Sequence, residues 1–341
     1  MPTPSIWLLT CVGVAHDLAL LPHWLRHYLD LGIAPERIVV ILNAAVEADP
    51  GLDRAREILV AHGATRPPEI WIAPYTSGTM WARRGAVQAR ICAPGDWVLN
   101  ADVDEFHRWP EPVADCLARA ADLGADCVQG VMIDRLAPGG VLAPVREAPH
   151  VLEQFPVRAE VAWSIGGASP VHGRGGTVKM MAARGRHLPH RGGHRPAMGS
   201  EVSYLYRYPL GSFREIDDPA FRFSVPTQVD HVHWTDTLPA RLETRLATPG
   251  VSPAGVEYGR RQLDHFGRNA GRVDLAQVAL EEEVAPGTAA WPERLSELRR
   301  MGRRKPLTAP VHRLVDRLAG RRTQWLLATG RRILGAAEAR R

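Results

Sequence analysis

The chain has 341 residues, enough for one large domain or for one domain with an appendage. Apolar residues make up 45% of it and charged residues 23%, the balance of a globular protein with a core, and no run of roughly eighteen apolar residues predicts a membrane-spanning helix. The formal charge of +5 comes from residues 291–341, which hold 14 Arg or Lys and 4 Asp or Glu, whereas the remaining chain holds 28 and 33; a mildly acidic body argues against nucleic-acid binding.

Residues 1–135 alternate between strand and helix patterns. Five short apolar runs have the composition of buried strands: residues 6–14, 37–43, 69–73, 97–101 and 127–133. Four intervening segments place apolar residues at helical spacing: residues 17–31, 52–62, 79–92 and 111–123. This alternation predicts parallel βαβ units with right-handed crossovers, in which ligands bind at the carboxyl ends of the strands.

The alternation fades after residue 135. Residues 136–285 are predicted to form a second half of the same domain, with irregular loops, a few antiparallel strands (177–182 is the clearest) and a mainly helical stretch at 236–283. Residues 286–341 are a basic, partly helical tail. Cys11, Cys92, Cys116 and Cys127 lack the spacing of a zinc clip or a disulfide framework, which predicts free thiols in a reducing cytoplasm.

The segment Trp97–Phe106 (WVLNADVDEF) carries the most specific chemical pattern. Side chains two apart on an extended chain point the same way, so Asp102 and Asp104 are predicted to share a face while Val103 turns to the core. Two adjacent carboxylates repel each other unless a cation lies between them, and Mg²⁺ or Mn²⁺ completed by substrate phosphates fits best. Such a metal neutralises the charge on a departing diphosphate. A solvated turn is the alternative for a bare Asp-x-Asp pattern.

With these residues in view, the chain resembles the bacterial family-2-like glycosyltransferases, whose signature is an aromatic-led strand ending in D-x-D-E-F. Further matches within residues 5–245 are Val12–Asp17, the block 21–28 with Leu31-Gly32, Lys179 within 177–182, and His231-Val232-His233-Trp234. The resemblance implies the GT-A fold, a Rossmann-like α/β domain with a mainly parallel central sheet. Residues 1–135 would then bind the nucleotide-sugar donor and residues 136–285 would face the acceptor. One position departs from the pattern: many relatives have an acidic residue after the second strand, and this chain has Asn43.

Two histidine patterns follow in the second half. His231 and His233 would share a face of a strand, and the resemblance implies that a late histidine completes the metal shell; structural histidines bonded to the backbone are the alternative. His187, His190 and His194 have zinc-like spacing, but a flexible loop does not preorganise three imidazoles, so a substrate-binding loop in which His190 and His194 contact substrate is favoured. Four arginines interleaved there suit phosphate binding: Arg184, Arg186, Arg191 and Arg195.

Further substrate contacts are predicted from position along the chain. His16 and Asp17 end the first strand, where the resemblance places the nucleoside; Asp17 as a helix N-cap is the alternative. Arg84 and Gln88 lie on the helix before the strand predicted at residues 97–101. They are predicted to contact phosphate or base, with a solvated helix face as the alternative. Asn43 and Lys179 complete the predicted contacts.

The acceptor side has weaker candidates. An inverting transfer needs a carboxylate base to deprotonate the acceptor hydroxyl, and Asp134, Asp217 and Asp218 are the candidates. Arg135, beside Asp134 at the end of a strand, is predicted to contact the substrate there.

Residues 311–334 place apolar side chains and Trp325 near helical spacing beside paired arginines. This pattern is typical of a helix lying on an anionic membrane surface. A C-terminal helix packed on the body, or a solubilising tail, is the alternative.

Together these patterns predict a glycosyltransferase of the hexosyltransferase type. It would transfer a sugar from a nucleotide-sugar to a saccharide, lipid-linked or other hydroxyl acceptor with Mn²⁺ or Mg²⁺, in the cytoplasm or at the inner face of the membrane. The alternatives are a nucleotidyltransferase or metal-dependent phosphohydrolase, and a non-catalytic nucleotide-sugar-binding module. The sequence contains no Walker A pattern, serine nucleophile elbow or full dinucleotide fingerprint.

Overall fold

The computed structural model describes residues 4–166, 177–197, 201–251, 253–281 and 291–301. Within these ranges it has ten strands: β1 (Ile6–Gly13), β2 (Ile38–Ala44), β3 (Glu69–Ile72), β4 (Trp97–Asn100), β5 (Glu105–Arg108), β6 (Cys127–Leu136), β7 (Val157–Glu160), β8 (Val178–Arg184), β9 (Gln228–His231) and β10 (Ala279–Leu280). The same ranges contain ten α-helices: α1 (Leu21–Asp30), α2 (Pro50–Ala61), α3 (Ser77–Ile91), α4 (Val113–Asp122), α5 (Val151–Gln154), α6 (Val161–Gly166), α7 (Pro219–Ser224), α8 (Leu238–Ala247), α9 (Pro253–Arg268) and α10 (Trp291–Met301). All nine elements predicted in residues 1–135 are present, with ends shifted by a few residues.

The strands form one sheet in the order β10-β7-β6-β8-β4-β1-β2-β3, and β9 pairs with both β5 and β6. Strands β3, β2, β1 and β4 run parallel, as the βαβ pattern predicted. Strand β8 is antiparallel to both of its neighbours, β4 and β6. Strand β6 therefore runs in the same direction as β4 but is separated from it by a strand that comes later in the chain. This topology confirms the α/β class predicted from the sequence, with a parallel part formed by β3, β2, β1 and β4.

The central strands are buried on both faces because helices cover them. On one face, Leu8 and Val12 of β1 pack with Leu21 and Trp24 of α1 in the largest core cluster. On the other face, Trp7, Leu9 and Cys11 pack with Met80 and Trp81 of α3. This two-sided burial explains why β1 and β2 are continuous apolar runs rather than alternating ones.

The first helix begins later than predicted. The periodicity suggested a helix from residue 17, but Asp17 caps a turn, with its Oδ2 accepting from the N–H of Gly13. Helix α1 starts at Leu21, with Pro22 in its first turn, where a missing N–H costs nothing. Asp17 is thereby left at the carboxyl end of β1 rather than inside a helix.

Strands β5 and β9 connect the two halves. Strand β5 directly follows the Asp-rich turn and pairs antiparallel with β9, which itself runs parallel to β6. The register places His231 opposite Glu105 on one side and opposite Asp134 on the other. A pair of strands far apart in sequence thus brings the late histidines to the acidic segment.

Helices α8 and α9, within the stretch predicted to be mainly helical, pack together through Leu242, Leu238 and Phe266 around Trp234. Helix α10, the first part of the predicted tail, packs on the main core through Leu295 and Leu298. Residues 311–334 lie outside the described residues. None of the helices in the described part of the chain is both long enough and apolar enough to cross a bilayer.

Candidate active site

The acidic segment is a turn rather than the end of a strand. Strand β4 ends at Asn100, and the N–H of Glu105 donates to the carbonyl oxygen of Asp102 at 2.9 Å. Val103 is buried, as predicted, while Asp102 and Asp104 are half-buried. The turn is therefore packed against the protein and not solvated.

Asp104 faces two imidazoles. Its Oδ2 lies 3.3 Å from Nδ1 of His233 and 3.6 Å from Nε2 of His231, and the two rings stack with centroids 5.0 Å apart. One ligand atom from each of the three residues lies within 4.8 Å of the others. Two imidazole nitrogens and a carboxylate oxygen in this arrangement are a suitable donor set for a divalent cation.

Asp134 holds His231 in place. The Nδ1–H of His231 donates to Oδ1 of Asp134 at 2.9 Å, which directs Nε2 toward Asp104. The other carboxylate oxygen of Asp134 accepts from the N–H groups of Val161 and Ala162, both at 2.8 Å, where α6 begins. This is the carboxylate–histidine arrangement that commonly orients a metal ligand.

The electrostatics of this group favour a cation. Burial lowers the pKa of His231, but hydrogen bonds to Asp104 and Asp134 outweigh it and raise the pKa to about 10. Burial likewise works against ionised Asp104, yet its hydrogen bonds with His231 and His233 lower its pKa well below the usual range. Both shifts arise because imidazoles lie beside buried carboxylates, an arrangement that attracts positive charge.

The two ring nitrogens of His233 have different surroundings. Burial lowers the pKa of His233 to about 4, so the ring is neutral. A guanidinium nitrogen of Arg241 lies 3.2 Å from its Nδ1, whereas its Nε2 is buried with no hydrogen-bond partner among the described residues. A buried ring nitrogen without a partner is costly.

Asp102 is held by two cations. Arg84 donates to Oδ1 of Asp102, and Lys179 Nζ lies 3.3 Å from Oδ2. Burial would raise the pKa of Asp102, but Lys179 and Arg84 outweigh it and the pKa is lowered. Lys179 also pairs with Glu105 at 2.6 Å. Asp102, Asp104 and Glu105 form a second group with metal-compatible spacing, yet two of its three carboxylates already have a protein cation beside them.

The residues predicted to contact the donor differ in their hydrogen bonds to the rest of the protein. Asp17 lies near the site: Arg241 donates to its Oδ1 at 3.0 Å, and burial raises its pKa despite that arginine. His16, half-buried, adjoins it. The side-chain amide of Asn43 donates to the carbonyl oxygens of Trp71 and Ala73, both at 3.0 Å, and so ties the end of β2 to β3.

Arg84 and Gln88 are buried on α3 rather than solvated. Besides Asp102, Arg84 binds the carbonyl oxygen of Leu9 at 2.7 Å. Gln88 donates to the carbonyl oxygens of Gly185 and His187, both at 3.1 Å. These bonds attach α3 to β1 and to the loop 185–197, the histidine loop.

The histidine loop lies beside the acidic turn. Lys179 donates to the carbonyl oxygen of Gly192 at 2.9 Å, and a Cβ on Gly193 would come within 2.5 Å of Trp81. His194 Nδ1–H donates to the carbonyl oxygen of Val178 at 2.8 Å, and His190 is half-buried with its Nδ1 3.0 Å from the Arg191 carbonyl. Neither metal-compatible group in the described part of the chain includes a histidine of this loop.

The remaining predicted residues lie in other surroundings. The guanidinium of Arg135 binds the carbonyl oxygens of Phe155 and Leu152, and it lies 3.6 Å from Asp230. Asp217 and Asp218 are exposed, and Asp218 caps α7 by accepting from the Ala220 N–H at 3.0 Å.

Sequence reasoning missed the contribution of α8. Arg241 on this helix binds both Asp17 and His233 and so connects the two halves of the site. Arg245 lies one turn further on, and its positive charge acts against the raised pKa of Tyr75. The signal was available as two arginines four residues apart on a helix that begins just after His233, but helical spacing does not reveal which face meets the sheet.

Comparisons with known proteins add little to this geometry. No family model matches the chain, and no curated protein matches it significantly. Among solved structures, the chain is similar to S. aureus TarS 1–349 at 13% identity and a TM-score of 0.29, over 77% of this chain and 72% of that one. The structure of the same protein in complex with UDP is 12% identical with a TM-score of 0.30, over 80% of this chain and 76% of that one. The complex with UDP-GlcNAc is 10% identical with a TM-score of 0.31, over 77% of this chain and 73% of that one. Likenesses this distant carry no argument about what the present chain binds.

Proposed function

We propose that this protein is a divalent-metal-dependent glycosyltransferase that uses a nucleotide-sugar donor. The observation that most supports this function is the Asp104–His231–His233 group, which lies at the carboxyl edge of the sheet near Asp17 at the end of β1. Ligands bind at this edge in open α/β sheets. The D-x-D-E-F resemblance supports the same conclusion, including transfer of a hexose to a hydroxyl acceptor.

The donor set favours Mn²⁺ over Mg²⁺. Mg²⁺ prefers a shell made entirely of oxygen ligands, whereas imidazole nitrogens suit transition metals. His231 and His233 each supply an imidazole nitrogen beside one oxygen of Asp104. When bound, the metal would neutralise the charge that develops on the departing nucleoside diphosphate.

The protein's own residues divide the remaining work. Asp134 orients His231, and Arg241 holds His233 and Asp17 together. Arg84 and Lys179 hold the Asp102 carboxylate beside the proposed metal site and stabilise the conformation of the acidic turn. Asp134 already accepts three hydrogen bonds, which favours a positioning role over the base role that its sequence position suggested.

The same contacts argue against a phosphohydrolase with two metals. That chemistry needs two cations about 4 Å apart. Here Asp104 and the histidines offer one position, while the oxygens of Asp102 are bonded to Arg84 and Lys179. A single metal that holds a diphosphate is the better fit.

The first test is a thermal-shift panel of UDP-, GDP-, dTDP- and CMP-sugars with and without Mn²⁺. A ligand at a hundred times its dissociation constant stabilises a protein by about 2.7 kcal/mol. We expect one donor class to raise the melting temperature only when Mn²⁺ is present. In Asp104→Ala the Mn²⁺-dependent part of the shift should vanish, because the central carboxylate is gone.

Asp122→Ala, an exposed carboxylate at the end of α4, is the matched control and should respond like the parent. An unchanged shift in Asp104→Ala would show that the metal assignment is wrong. Turnover of nucleoside triphosphate without sugar transfer would favour a nucleotidyltransferase, and donor binding with no consumption in the presence of acceptor would favour a binding module.

A further inference from the structure

Helix α8 presents two arginines on one face. Arg241 and Arg245 are four residues apart, and side chains at this spacing lie one above the other on a helix. Arg241 reaches the site directly, through Asp17 at 3.0 Å and His233 at 3.2 Å. Arg245 therefore projects from the same face, one helical turn after Arg241.

The charge of Arg245 acts on two tyrosines that the acidic residues also influence. Burial raises the pKa of both Tyr75 and Tyr258, and the positive charge of Arg245 lowers each pKa in part. The charges of Asp102 and Asp17 act on Tyr75, and those of Asp134 and Asp104 act on Tyr258. Arg245 and the acidic residues are therefore within electrostatic range of the same two phenols.

Arg245 differs from the other cations there in having no counterion. Arg84, Lys179 and Arg241 are each bonded to a carboxylate. The Arg245 side chain is half-buried, and its guanidinium forms no hydrogen bond or ion pair with the described residues. A half-buried guanidinium without such a partner has its donors available for an anionic ligand.

We propose that Arg245 binds the diphosphate of the donor from the α8 side, opposite the metal. This inference rests on the proposed function. The carboxylates of Asp17, Asp102 and Asp104 lie within electrostatic range of one another, so a diphosphate bound beside them needs positive charge beyond the metal. The planar guanidinium can donate two parallel N–H bonds to phosphate oxygens, which a point charge cannot do.

The test titrates the full-length protein by calorimetry, first with Mn²⁺ and then, at saturating Mn²⁺, with inorganic pyrophosphate at low micromolar concentration. In Arg245→Gln we expect pyrophosphate affinity to fall about 10- to 100-fold, the usual loss for a bond to a charged group, with Mn²⁺ affinity unchanged. Arg245→Lys, which keeps the charge but not the fork, should recover part of the loss. Arg260→Gln, an exposed arginine of α9, is the control and should leave both affinities unchanged.

The outcomes separate this inference from the proposed function. If Arg245→Gln bound pyrophosphate as tightly as the parent, Arg245 would have no role at the diphosphate, while the metal site would stand. Loss of Mn²⁺ binding in the same variant would show that Arg245 acts through the metal ligands and would also overturn direct contact. A parent protein that binds neither Mn²⁺ nor pyrophosphate would overturn both proposals.

Discussion

The carboxylate of Asp104 lies between two imidazoles, whereas that of Asp102, two residues earlier, lies between a guanidinium and an ammonium group. The sequence pattern predicted that the two aspartates are equivalent metal ligands. Their neighbours come from α3, β8, β9 and the segment just after β9, up to about 130 residues away, and make the two carboxylates electrostatically different. Asp104 faces ring nitrogens that could share a metal ion with it, whereas Asp102 is already paired with two protein cations.

Asp134 provides a test at the scale of one residue. Asp134→Asn keeps the size of the side chain but removes the negative charge that fixes the Nδ1–H form of His231. Loss of such a partner of a metal ligand commonly weakens metal binding by about 10- to 100-fold. We expect a loss of Mn²⁺ affinity in that range, measured by calorimetric titration.

Asp217→Asn is the matched control, because this exposed carboxylate was an equal candidate for the base. It should bind Mn²⁺ like the parent. If Asp134→Asn instead bound Mn²⁺ normally but no longer consumed donor, Asp134 would be the catalytic base and the positioning role would be wrong.

At the scale of elements, β5 and α1 share a cluster of buried aromatic and histidine side chains. His27 contacts Phe106 with ring centroids 5.3 Å apart, and its Nε2–H donates to the carbonyl oxygen of His107 at 3.0 Å. His107 is fully buried, and neither of its ring nitrogens has a hydrogen-bond partner in the described residues. His23 and His150 complete the cluster. Because β5 follows the acidic turn, this cluster supports the site from behind.

The cluster predicts loss of stability in mild acid. Burial lowers the pKa of all four histidines, that of His27 to about 4. Between pH 6.5 and 4 the unfolded chain therefore binds more protons than the folded one, and the free energy of unfolding falls as the pH falls through this window. His27 alone contributes about 3 kcal/mol of this loss, measurable by urea unfolding at a series of pH values.

His27→Gln keeps a donor for the His107 carbonyl but does not titrate. Its unfolding free energy should fall less steeply between pH 6.5 and 4 than that of the parent. Val60→Gln, an exposed substitution on α2 that adds no titratable group, should keep the parental slope. Equal slopes in all three proteins would mean that the buried histidines do not set the acid sensitivity.

At the scale of the whole molecule, the site lies where the two halves meet. Residues 1–135 supply Asp17, Asp102 and Asp104, and the second half supplies His231, His233 and Arg241. Neither half alone holds the Asp104–His231–His233 group. The long-range pairing of β5 with β9 is therefore as important for the proposed chemistry as the acidic turn itself.

The basic tail predicts binding to anionic membranes. Residues 302–341 contain 11 Arg or Lys and 2 Asp or Glu, and each basic residue near an anionic surface adds about 1 kcal/mol of attraction. We expect the full chain to co-sediment with vesicles containing phosphatidylglycerol at low salt, and a chain ending at Met301 to stay in the supernatant. Vesicles of phosphatidylcholine alone are the control. Equal sedimentation of the two chains would contradict a membrane role for the tail.

The sequence alone determined the alternation of β1 to β4 with their helices, because burial on two faces of a sheet or on one face of a helix imposes periods that are visible locally. It also predicted the acidic segment and the late histidine pair as chemical sites. Tertiary structure decided which partners these groups meet. Arg84 and Gln88 are buried because they bond to β1 and to the histidine loop. Arg241 contacts the site from α8 through Asp17 and His233. Such contacts depend on segments distant in sequence, and the local pattern of a helix or strand carries no record of what will cover it.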